Sequence, residues 1–132
     1  METTSPIPPV SGAQRWTGYI LSALPSLLIA FSAAMKLARA PGLAESFDHL
    51  GWPVGYALGL GLLELACMIV YLIPRTAVLG AILLTGYLGG ATATHVRVGD
   101  PTFWAPALLG VLLWGGLYLR DPRLRVLLPL RR

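Results

Sequence analysis

The chain has 132 residues, 55% of them hydrophobic and only 12% charged, with a net charge of +4. An ordinary soluble domain carries roughly 25% charge, so the composition excludes a water-soluble core and points to a single membrane domain. Five of the ten Lys and Arg residues follow residue 119, beside the last apolar run. That placement reads as a juxtamembrane basic segment facing anionic headgroups, and not as a nucleic-acid surface.

Residues 1–14, within "METTSPIPPVSGAQR", are polar and Pro-rich and read as a disordered tail. They lack the basic start of a signal peptide, and Ala38-Arg39-Ala40 is followed by Pro41, a poor cleavage position, so the first apolar run is expected to be retained. The membrane domain is expected over 15–120 and a basic tail over 121–132. The first span runs from about Trp16 to Leu37, with Pro25 inside it to kink it and free a backbone carbonyl. Ser22 and Ser26, one turn apart, are placed to re-satisfy such groups.

"APGLAESFDHLGW" follows. Leu43, Phe47 and Leu50 share one face, and Glu45, Ser46, Asp48 and His49 the other. The pattern predicts a short amphipathic helix lying in the membrane interface, closed by Gly51. The second span starts near Trp52-Pro53 and ends before Pro74. "IPRT" is too short for anything but a tight antiparallel turn. The third span runs from about Thr76 to Val96, "RVGDP" turns the chain, and the fourth runs from about Thr102 to Leu119. The fold class is therefore all-α: an integral membrane four-helix bundle with a short interfacial helix between spans one and two.

Trp16, Trp52 and Trp104 sit near span ends, as an aromatic belt requires. Seven basic residues lie on the side of the termini (Arg15, Arg75, Arg120, Arg123, Arg125, Arg131, Arg132) and three on the other (Lys36, Arg39, Arg97). This bias places both termini in the cytoplasm. Gly55 and Gly59, and Gly86 and Gly90, have GxxxG spacing, and Gly110 with Gly115 and Gly116 thins the fourth span. Such positions are expected to bring helices close together.

One carboxylate, Glu64, stands near the middle of the second span, the only acid or base between Asp48 and Arg75 apart from His49. A charge at that depth is costly and faces a bundle interior or a wet cavity, where it needs a cation or hydrogen-bond donors. It reads as a proton-exchanging group, a ligand anchor or a structural lock between helices. On the third span, Ala81, Thr85, Leu88, Thr92 and His95 follow at steps of three and four and define one stripe. Lys36 ends the first span and is a candidate partner for Glu64, although it would have to reach inward by about 8–10 Å, roughly one and a half turns. Lys36, Glu64, Thr92 and His95 are thus read as one constellation, walled by Tyr87, Trp104 and Trp114. It suits a small or lipophilic molecule with one polar end. The single cysteine, Cys67, excludes an internal disulfide and reads as a small buried apolar residue. No metal-binding or phosphate-binding motif and no triad order occurs, and no cofactor is indicated.

The stretches "GWPVGYALGLGLLELACMIVYLIPRTAVLG", "GGATATHVRVGDP" and "GLYLRDPRLRVLLPLR", with Lys36-Leu37 at the end of the first span, resemble the DoxX-like family of small bacterial four-span membrane proteins. The resemblance extends over about residues 16–126. It implies a Glu in the second span and a Thr-His pair closing the third, here Glu64, Thr94 and His95. It also implies a place in the inner membrane and a link to quinol oxidation, redox homeostasis or the maturation of partner proteins. The expected function is an accessory or subunit of a membrane redox system, binding a quinone-like or other lipophilic molecule near Glu64 and His95. The alternative is an assembly partner of another membrane protein with no ligand of its own. Catalysis by the chain itself, with Glu64 as general acid or base, is left open.

Overall fold

The computed structural model describes residue 7 and residues 9–128. Six helices form: α1 (Gly12–Ala38), α2 (Leu43–Leu50), α3 (Ala57–Leu72), α4 (Ala77–Arg97), α5 (Trp104–Arg120) and the single turn α6 (Leu124–Leu127). Half of the tail expected over 1–14 (residues 1–6 and 8), and the last four residues, lie outside the described residues. Residues 12–14 do not belong to a tail. Ser11 caps α1, its Oγ accepting from the Gln14 amide at 3.2 Å, so the helix starts four residues before Trp16. Beyond Arg120, part of the basic tail turns back as α6.

The chain is an all-α membrane bundle. α1 and the segments Val54–Leu72 and Pro74–Arg97 are each long and apolar enough to cross a bilayer. α5 has 17 residues, about 26 Å at about 1.5 Å per residue. The apolar surface is turned outward: Trp16, Leu27 and Val111 are 70%, 69% and 67% exposed. A continuous apolar exterior of this kind is a surface for lipid.

α1, α3, α4 and α5 pack in a ring, each antiparallel to its neighbours. The inter-helix contacts fix the register: Ser22 meets Tyr71, Lys36 meets Glu64, Glu64 meets Tyr87, and Thr85 meets Trp114. At the terminal end, Tyr71 is fully buried and its hydroxyl donates to the Leu113 carbonyl at 2.8 Å. Ser22 Oγ donates to the Tyr71 hydroxyl at 2.9 Å, so one phenol joins α1, α3 and α5. The Arg120 guanidinium lies 5.5 Å from the Tyr71 ring centroid and covers this knot. Pro25 deprives the Leu21 carbonyl of its usual donor. The nearby Ser26 hydroxyl binds the next carbonyl, that of Ser22, at 2.6 Å.

Of the glycines singled out in the sequence, Gly116 brings helices together and the two GxxxG pairs do not. A Cβ on Gly80 would overlap the Tyr71 backbone, and one on Gly116 would overlap Ser22 and Gly18. Gly61 gives similar room to Lys36 and Leu37. By contrast Gly55, Gly59, Gly86 and Gly90 border open space. In a membrane, close packing replaces the hydrophobic drive between helices, and here single glycines opposite a bulky partner provide it, not GxxxG pairs.

At the other end, α2 caps the bundle. Leu43 and Phe47 are buried with Ala57, while Glu45, Asp48 and His49 are exposed. Gly51 ends the helix at φ +78°, a conformation that strains any residue with a Cβ. The Arg97 guanidinium donates to the Leu50 carbonyl at 2.6 Å, and His49 Nε2 donates to Asp100 Oδ2 at 2.8 Å. The hydroxyl and amide of Thr102, then His49, hold the Asp100 carboxyl at about 2, below its ordinary 3.8. Its contribution is therefore complete above about pH 4 and lost as pH falls toward 2.

The packing predicts opposite effects for two glycine substitutions. Gly80→Ala must push α3 from α4 and is expected to cost ~1–3 kcal/mol or more. Gly59→Ala meets nothing and is expected to be neutral or to gain up to ~1 kcal/mol from helix propensity. Denaturation of both proteins by SDS in mixed micelles, followed by circular dichroism, checks the order; equal stabilities would refute this packing.

Candidate functional site

Glu64 is 3% exposed, and its depth is set by α3 packing between α1 and α4. Three donors converge on its Oε2: Lys36 Nζ at 2.8 Å, the Tyr87 hydroxyl at 3.2 Å and Ser32 Oγ at 3.4 Å. Lys36 Nζ also donates to Ser32 Oγ at 2.6 Å. Lys36 does not need the inward reach of one and a half turns expected of it. α1 continues as helix to Ala38, and Gly61, lacking a side chain, lets the Lys36 Cβ settle one turn from Glu64 on α3. The ammonium therefore arrives at the level of the carboxylate. Ser32, one turn before Lys36 on the same face, went unnoticed in the sequence; its signal was that spacing.

The pair borders a cavity of about 400 Å³ between the four long helices at the α2 end. Leu28, Ile29, Leu60 and Leu109 give it apolar walls. Gly86 and Gly90 line it too, and since a Cβ on either would meet nothing, their missing side chains are part of its volume. Leu50 and Trp52 close the end under α2. The Trp52 indole donates to Thr94 Oγ1 at 3.4 Å, and Thr94 donates to the Gly90 carbonyl at 2.8 Å. His95 also lines the cavity. Its Nδ1 donates to the Ala91 carbonyl at 2.7 Å, and Nε2 has no partner among the described residues.

Five of the residues singled out in the sequence thus come together: Lys36, Glu64, Tyr87, Thr94 and His95. Tyr87 is more than an aromatic wall, since its hydroxyl binds the carboxylate. Thr92 does not join them. It and His95 stand about 60° apart around α4, and the boundary between two faces passes between them. Thr92 lines a groove on the α5 side with Thr85 and Trp114, and its hydroxyl donates to the Leu88 carbonyl at 2.8 Å. Trp104 stands at the start of α5, 56% exposed and away from the cavity.

The arrangement has two unused hydrogen-bonding capacities. Among the described residues nothing donates to Glu64 Oε1, whereas Oε2 has three donors. The Lys36 ammonium has three N–H groups and uses two of them. A donor and an acceptor therefore lie side by side in a largely apolar space.

Residues 20–116 match the family model of the DoxX-like family, and the chain belongs to that family. No curated protein and no solved structure matches it.

The ion pair makes a prediction of its own. Removing one partner leaves a buried charge uncompensated, a loss of roughly 3–5 kcal/mol, while replacing both with apolar groups is far milder. Lys36→Met is thus expected to destabilise the protein strongly, and Lys36→Met with Glu64→Leu to recover most of the loss in the same SDS titration. A double variant no more stable than the single one would show that the two groups are not coupled.

Proposed function

From membership of the DoxX-like family and the geometry around Glu64, we propose that the cavity binds a quinone-like or other lipophilic molecule by its polar head. On this reading the protein serves as an accessory or subunit of a membrane redox system. The observation that carries it is the pairing of a free carboxylate oxygen with a free ammonium N–H in an apolar cavity of about 400 Å³. That volume falls in the range of small-molecule sites, roughly 300–1,000 Å³, which combine apolar walls with a few convergent polar groups.

The two capacities suit the two states of a quinone. A quinone carbonyl accepts from Lys36. A quinol hydroxyl donates to Glu64 Oε1, and the carboxylate is placed to take its proton when the quinol is oxidised. His95 Nε2 offers a second acceptor for the head. The two electrons pass to a partner redox protein in the membrane, and the second of the two protons leaves by way of His95 Nε2. All four long helices cross the bilayer in this reading, α5 with its basic flank at the headgroups, and α2 lies in the interface. The excess of Arg at the terminal end supports an orientation with both termini in the cytoplasm of a cell with an inner membrane.

One observation favours a second reading. The three donors on Oε2 already tie α1, α3 and α4 together, which is what a structural lock in an assembly partner would do. Ligand binding separates the two. Under the first reading, a benzoquinol kept reduced raises the melting temperature of the detergent-purified protein, and Glu64→Gln loses at least about tenfold in affinity for it, one charge-assisted hydrogen bond being worth roughly 1.5–3 kcal/mol. Equal melting temperatures with and without the quinol, in a wild type that folds normally, would leave the lock as the account.

A further inference from the structure

Behind the cavity, on the lipid side of α4 and α5, runs a second opening, a groove of about 940 Å³. Leu88 and Pro106 line both spaces, so they form the partition between them. Leu88 closes it against α5, its Cδ1 lying 3.7 Å from where a Gly110 Cβ would stand. The groove exists because Gly89, Ala93, Ala107, Gly110 and Gly115 carry little or no side chain. These are not contact glycines, since a Cβ on Gly89 or Gly115 would meet no atom.

The two spaces differ in chemistry. Thr85 and Thr92, the hydroxyls along the α4 side of the groove, donate to the Ala81 and Leu88 carbonyls at 2.7 and 2.8 Å. The Trp114 indole is spent on Thr85 Oγ1 at 2.7 Å. Of the polar side chains lining the groove only Tyr118 has a hydroxyl without a partner among the described residues, and the rest of the groove suits hydrocarbon. The cavity holds the carboxylate and the ammonium. A polar-headed space and an apolar one that share the wall at Leu88 and Pro106 together have the shape of an amphipathic molecule.

We propose that the two form one site, in which a lipid of the single-tailed class sets its head at Lys36 and Glu64 and passes its hydrocarbon tail by Leu88 and Pro106 into the α4–α5 groove. This rests on the reading of the cavity given above and narrows it to molecules with a tail, reached sideways from the bilayer. Leu88 sits at the crossing, and its side chain turns about two bonds to admit the chain. The occupant of the groove is thus the ligand's own tail, not bulk lipid or a second copy.

Two adjacent glycines separate the parts. Gly89 lines only the groove and Gly90 only the cavity, and a Cβ on either meets nothing, so Gly89→Leu and Gly90→Leu are both expected to fold. The probes are a tail-less dimethoxy-methyl-benzoquinone and the same head bearing a decyl chain, titrated against the full-length protein in one detergent. Comparing variants cancels the partition of the decyl chain into micelles. Wild type should prefer the decyl probe. Gly89→Leu should reduce that preference about tenfold, as expected for excluding two methylenes, and leave the tail-less probe unchanged. Gly90→Leu should weaken both probes. A decyl preference that survives Gly89→Leu overturns the tail site while leaving head binding intact. If Gly89→Leu instead shifts the oligomeric state on size exclusion with the preference unchanged, a second copy covers the groove and the proposal falls. Failure of both probes to bind wild type overturns both this and the function on which it rests.

Discussion

A carboxylate in the middle of a membrane helix cannot stand alone, and the pairing of Lys36 with Glu64 is the constraint around which one half of this bundle is arranged. Desolvating two charges costs several kcal/mol per ion, recovered only with close geometry and extra hydrogen bonds. The bundle supplies both. Gly61 brings α1 near enough for a 2.8 Å contact, and Ser32 and Tyr87 add donors from α1 and α4. The pair thereby fixes how far α1 extends along α3 and which face α4 turns inward.

The two ends of the bundle have different tasks. At the terminal end, Tyr71 fills its space completely, and glycines at 80 and 116 let backbones approach it and each other. That end is dense, and among the described residues Arg125 Nε is its one buried side-chain polar atom without a partner. At the α2 end, glycines border emptiness instead, and the polar groups keep capacity in reserve. Dense packing at one end lets the other remain open, since the helices are held in register without needing to fill the space around Glu64. The cap formed by α2, latched through Arg97 to Leu50 and His49 to Asp100, closes the cavity toward the interface and leaves the groove between α4 and α5 on the lipid side.

Much of this was legible in the sequence. Charge-free runs gave the helices, amphipathic spacing gave α2, and the isolation of Glu64 marked the site. Lys36 was the right partner, but its reach was misjudged, because the level at which α1 crosses α3 depends on a glycine contact that no periodicity reveals. The stripe through Thr92 and His95 failed for a related reason. A helical stripe is broad enough to serve two neighbours, and only the positions of α3 and α5 decide where it divides. GxxxG spacing likewise says that a backbone is bare, not whether a helix or a void lies opposite. Ser32 and Tyr71 were missed because a single hydroxyl in an apolar run carries no pattern of its own.

The account stands on the claim that the free oxygen of Glu64 meets a guest. Infrared difference spectroscopy of the purified protein, before and after adding the decyl benzoquinol, reads that carboxylate directly. A shift in a carboxylate band on binding, absent in Glu64→Gln, is the predicted result. Spectra in which the quinol binds yet no band assigned to Glu64 moves would contradict it, leaving the pair with Lys36 as a bolt between helices and nothing more.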